Sequence, residues 1–196
     1  MKLPRSCYLL LILPTLLAAG FAVLALGIVP ALRFTRERID IAVRSSSIEV
    51  TGLYVYRNPW PISMRQRLFY PFPVDGSHPA PSWVQVTQVD PRTNADLGEI
   101  PTDWRRGIPR FSVSAPAGGE VHVRVMYRQS STIPSASYIL LTTKLWGRPL
   151  EFGEYYLWPH GVRITRSSYP LDGAAPLSFV RRDFMPDQDW RFTWQG

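Results

Sequence analysis

Hydrophobic and polar positions follow two regimes along the chain, and the change falls near residue 33. Residues 8–32 form 25 consecutive positions without a charged side chain, dominated by Leu, Ala, Ile and Val. At ~1.5 Å per helical residue such a run reaches roughly 37 Å, enough to cross a ~30 Å hydrocarbon core with some tilt. The pattern predicts a transmembrane signal-anchor helix over residues 7–32, preceded by a short basic tail at 1–6. A cleaved signal peptide fits less well. Lys2 and Arg5 resemble a basic leader and Ala18, Ala19 and Gly20 would suit a peptidase, but the apolar run extends beyond the ~7–15 residues of a signal core.

Beyond residue 33 the period changes to two. Ile39, Ile41 and Val43 alternate with polar or small residues, and Ile48, Val50, Leu53 and Val55 follow, with Gly52 interrupting the rhythm as a bulge or close approach would. The clearest alternation is Val121, Val123, Val125 and Tyr127 against His122, Arg124, Met126 and Arg128, the pattern of a half-buried strand. Further strands are expected at 66–70, 82–89, 110–115, 137–145, 154–158, 162–168 and 176–181, and the alternating tail from Trp190 to Trp194 is expected to close a sheet edge or pair with another chain. Many short strands separated by Gly and Pro predict an all-β domain, an antiparallel β-sandwich of immunoglobulin-like or jelly-roll-like kind. Its bounds are expected at 48–196, with 33–47 as a basic juxtamembrane linker.

Charge sharpens the picture at that linker. Lys2 and Arg5 set aside, residues 33–196 carry twenty basic and fifteen acidic side chains, a net +5. Arg33, Arg36 and Arg38 follow the apolar run at the depth of lipid headgroups, and are expected to contact them. The arginines are scattered and form no nucleic-acid module, so nucleic acid is not an expected partner. Positive charge flanks both ends of the apolar run, so orientation rests on the character of the domain.

Candidate chemistry is sparse. His78, His122 and His160 are not at metal-ligand spacing, and the single cysteine, Cys7, precedes the apolar run, so no metal or cofactor is expected. Asp183, Asp187 and Asp189 lack the glycine and closing glutamate of a calcium loop and read as a solvated turn. Gly118 and Gly119 read as a hairpin turn between strands. No nucleophile elbow is present, so no catalytic residue is nominated.

Aromatic residues rise above this background. Residues 57–82 form a long connection stiffened by six prolines and carrying Trp60, Phe69, Tyr70 and Phe72. With Trp104 and Trp158, these are the candidate partner-contact residues, since interfaces enrich aromatics interleaved with arginine. Trp83 and Trp146 are expected in the core. Within the apolar run, Ala18, Ala19, Gly20 and Ala22 form a small-residue patch that permits close helix packing. The expectation is a non-catalytic accessory subunit, anchored in a bacterial inner membrane with its β-domain on the periplasmic side, whose partners are other integral membrane proteins and membrane lipids. The alternative is a tethered module that binds a glycan or an extended peptide through the 57–82 loop.

Overall fold

The computed structural model of the protein describes residues 31–196. The expected anchor helix, with Ala18, Ala19, Gly20 and Ala22, lies outside the described residues. Among those described, no helix is long and apolar enough to cross a membrane. They are nearly all β, as the period-two pattern requires.

Thirteen strands form among the described residues: β1 (Arg33–Arg44), β2 (Ser47–Arg57), β3 (Met64–Phe69), β4 (Trp83–Val89), β5 (Asp96–Glu99), β6 (Asp103–Arg105), β7 (Ile108–Ala115), β8 (Glu120–Ser130), β9 (Ser135–Tyr138), β10 (Leu150–Pro159), β11 (Arg163–Ser167), β12 (Leu177–Phe184) and β13 (Trp190–Gln195). A seven-stranded sheet runs in the order β12-β10-β1-β2-β8-β4-β5, and two three-stranded sheets run β11-β13-β9 and β3-β7-β6. Alternation fixes which face of the large sheet is buried. Ile39, Ile41 and Val43 of β1, Ile48 and Val50 of β2 and Val121, Val123, Val125 and Tyr127 of β8 are buried in one core cluster. The β3-β7-β6 sheet contributes Leu68, Phe111 and Val113 to the same cluster, and the β11-β13-β9 sheet contributes Trp190, Phe192 and Trp194.

Three expectations need correction. The segment read as a linker, residues 33–47, supplies β1, which is hydrogen-bonded to β2 on one side and β10 on the other. Its arginines mask a strand whose inward phase is apolar from Ile39 to Val43. The sheet is also not purely antiparallel, because β1 and β10 run parallel, from Arg36 opposite Phe152 to Val43 opposite Pro159. Parallel neighbours need a long crossover, and the chain between β1 and β10 builds most of the other strands before returning. Finally, the strand expected over 137–145 stops at Tyr138 and gives way to a 3-10 turn, Leu141–Trp146, closed by Gly147 at φ 66°. The Asp189 carboxylate accepts from the backbone N–H groups of Leu140 and Leu141 at 2.9 and 3.0 Å, which draws the chain out of the extended state.

The two tryptophans expected in the core divide. Trp146 is half-buried, packed on Phe34 and Tyr56 with ring centroids 5.6 and 5.4 Å away. Trp83 opens β4 opposite Arg128, on the outward phase of β8, and is 42% exposed. Gly52 proves to be a close approach, since Tyr54 folds its ring back over it. The Gly118 and Gly119 pair lies in a turn between β7 and β8, but these strands belong to different sheets and do not pair, so the turn crosses between sheets instead of closing the expected hairpin.

Candidate functional site

The 57–82 connection is held by side chains that accept or donate to its backbone. Asn58, fully buried, donates to the carbonyls of Ile62 and Pro116 at 2.7 and 2.8 Å and accepts from the Trp60 N–H at 3.0 Å. Farther along, the buried Gln129 amide donates to the carbonyls of Pro73 and Pro79 at 3.1 and 3.0 Å. Both are single residues that replace the ladder bonds a loop lacks.

Of the candidate aromatics, the structure gathers three. Phe72 is buried against Tyr127 at 4.9 Å, Tyr70 lies 5.4 Å from Phe72, and Trp104 of β6 stacks on the outer side of Phe72 at 6.3 Å. Tyr70 turns its hydroxyl inward, 2.6 Å from that of Tyr54. Trp60 and Phe69 remain exposed on the loop and on β3, and Trp158 is exposed on β10, its Nε1 donating to Asp40 at 3.0 Å.

Trp158 belongs to the outward face of the large sheet, where charge pairs step from strand to strand. Glu120 accepts from Arg36 and Arg57, each at 3.0 Å, and Arg57 also reaches Glu151 at 2.8 Å. Arg38 binds Asp40 at 2.8 Å and lies over the Tyr156 ring at 4.6 Å. Arg36 and Arg38, expected at headgroups, thus engage partners within the sheet, while Arg33 is exposed at the start of β1.

Sequence reasoning missed a buried acid. Glu37 is 5% exposed on the inward phase of β1, opposite Tyr54 on β2 and Gly153 on β10. Tyr155 folds over Gly153 and donates its hydroxyl to Glu37 at 2.5 Å. Burial pushes the Glu37 carboxyl up to about 7, and the Tyr155 bond opposes only part of that. Around it, the hydroxyls of Tyr54, Tyr70 and Tyr138 meet within 3.4 Å, and burial raises all three phenols. The signal was the phase of Ile39, Ile41 and Val43, which extends back to Glu37.

A cleft of about 450 Å³ opens on the outward face of the β11-β13-β9 sheet. Pro73, Asp75 and His78 of the long loop form one wall, and Ser135, Ala136, Ser137, Arg166, Ser167, Ser168, Arg191, Phe192 and Thr193 line the sheet side. The loop wall is seated by His78, whose Nε2 faces the Ser135 carbonyl at 2.8 Å and whose Nδ1 faces Asp75 at 2.8 Å. No group of three metal-ligating side chains occurs among the described residues.

No protein-family model matches the chain, and no curated protein matches it in sequence. Among solved structures it is similar to a Legionella pneumophila protein provisionally named nutrient binding, at TM-score 0.62 and 16% identity over 84% of this chain and 67% of that one. An M1 zinc metallopeptidase from Deinococcus radiodurans aligns at TM-score 0.42 and 9% identity over 83% of this chain, which spans about two fifths (39%) of that enzyme. At such identities the first likeness speaks for the fold alone, and the second carries no argument.

Proposed function

We propose that the chain is a non-catalytic, membrane-anchored accessory subunit whose β-sandwich braces the extramembrane surface of a larger complex. The observation that carries this reading is the place of β1. The apolar run ends at Leu32, and the next residue opens a strand paired along both edges near the middle of the seven-stranded sheet. β1 is held by β2 from Arg33 and by β10 from Arg36, so a pull on its N-terminal end meets two hydrogen-bonded ladders. A tethered ligand-gripping domain on a flexible leash has no need of that continuity. The outward face of the same sheet, with Trp158, Tyr156 and Arg38 beside the ion-paired ridge, supplies the aromatic and arginine side chains that interfaces use.

Extraction of the full chain in mild detergent followed by native electrophoresis tests the proposal. A complex with co-purifying integral membrane proteins is expected. Migration as a lone chain, with no partner retained, would refute it.

A further inference from the structure

We infer that the cleft between the 73–78 loop and the outward face of the β11-β13-β9 sheet binds a compact oxyanion of the phosphate or phosphate-ester class, clamped between Arg166 and Arg191. The register sets the clamp. Arg191 of β13 stands opposite Ser137 of β9, and Arg166 of β11 stands opposite Thr193 of β13. The two arginines are therefore diagonal neighbours on one sheet face, where side chains are typically ~7–8 Å apart at the Cα level. Like charges so placed repel, and neither guanidinium has a hydrogen-bond or ion-pair partner among the described residues. An anion between them removes the repulsion and fills both donor forks at once.

The remaining cleft groups suit the same ligand. Asp75 is the one carboxylate among the lining residues, and its Oδ1 is turned to its own loop, where the N–H groups of Ser77 and His78 and the His78 ring all bond it at 2.8 to 2.9 Å. Ser168 accepts from the Arg191 N–H at 2.9 Å and donates to the Asp189 carbonyl at 3.0 Å, which fixes the backbone from which Arg191 projects. Ser137 of β9, opposite Arg191, adds a hydroxyl group at the cleft wall. A carboxylate has two oxygens and is satisfied by one guanidinium. A phosphate has three or four oxygens and up to two charges, the number that two guanidinium forks and neighbouring hydroxyls match. The volume is in the ~300–1,000 Å³ range of small-ligand sites.

Calorimetric titration of the full chain in neutral-detergent micelles with inorganic phosphate, then with glycerol phosphate, tests the site. Saturable binding is expected, weakened about tenfold or more by Arg166→Ala or Arg191→Ala and partly restored by Arg166→Lys. Arg67→Ala, on exposed β3, removes the same charge elsewhere and should bind like the wild type. Repeating the titration in micelles doped with anionic phospholipid separates two sources of the same group. Weaker apparent phosphate binding assigns the cleft to a lipid headgroup, and unchanged binding assigns it to a soluble phosphate ester. Absence of saturable heat, wild-type binding by both alanine variants, or an equal loss in Arg67→Ala would overturn the inference.

Discussion

Glu37 shows how one residue can set the pH response of a β core. Its carboxyl, ordinarily near 4.5, is held up to about 7 because burial disfavours the charged form more than the Tyr155 bond favours it. The unfolded chain releases that proton near 4.5, while the fold retains it until about 7, so stability present below pH 4.5 is lost as pH rises through 7. The linkage amounts to roughly 3 kcal/mol above that range. Thermal melts from pH 4 to 8 should show Glu37→Gln matching the wild type in acid and exceeding it increasingly toward pH 8, since the amide oxygen still accepts from Tyr155. A constant difference across that range would contradict the assignment. Gly153 is tied to the same contact: a Cβ there would sit 2.7 Å from the hydroxyl of the buried Tyr155, so the ring would have to shift off Glu37.

At the level of elements, β13 had a legible pattern and an unreadable position. Trp190, Phe192 and Trp194 alternate with Arg191 and Thr193, so a strand with one buried face was expected. The structure places it in the middle of its sheet, paired with β11 and β9, rather than at an edge. Trp190 joins the small sheet to the large one. Its ring meets Phe179 edge-on at 5.0 Å and Tyr155 at 5.8 Å, and its Nε1 donates to Ser167 at 3.0 Å. Trp190→Ala should lower stability by about 3–5 kcal/mol, read from the urea midpoint, because it empties a fully buried site between two sheets. The 3-10 turn was hidden for the opposite reason. Leu140 and Leu141 belong to an apolar run that suits a strand, and only Asp189, 49 and 48 residues away, supplies the acceptor that bends it.

For the whole molecule, the position of β1 decides where the domain begins. A fragment spanning Leu32–Gly196 should fold, since Leu32 is 1% exposed in the core and its N–H bonds the Gln66 side chain at 2.8 Å. A fragment beginning at residue 48 should fail, leaving β2 and β10 with open edges and the inward faces of Ile39, Ile41 and Val43 missing. Circular dichroism and solubility of the two fragments check this, and a folded shorter fragment would contradict it. The ion pairs on the outward face carry little of this stability, because exposed pairs contribute ~0–1 kcal/mol each.

Local order along the chain was sufficient for the β class, most strand positions, a turn at the paired glycines and the apolar run at 8–32. Those features depend on a residue and its near neighbours, through the pleat and the turn. Pairing order, the parallel β1 and β10 contact, the buried acid and the arginine pair over the cleft depend on strands far apart in sequence. Their registers are selected by core packing over the whole sheet, so Arg166 and Arg191 become neighbours only when Phe192, Trp190 and Trp194 are seated beneath them.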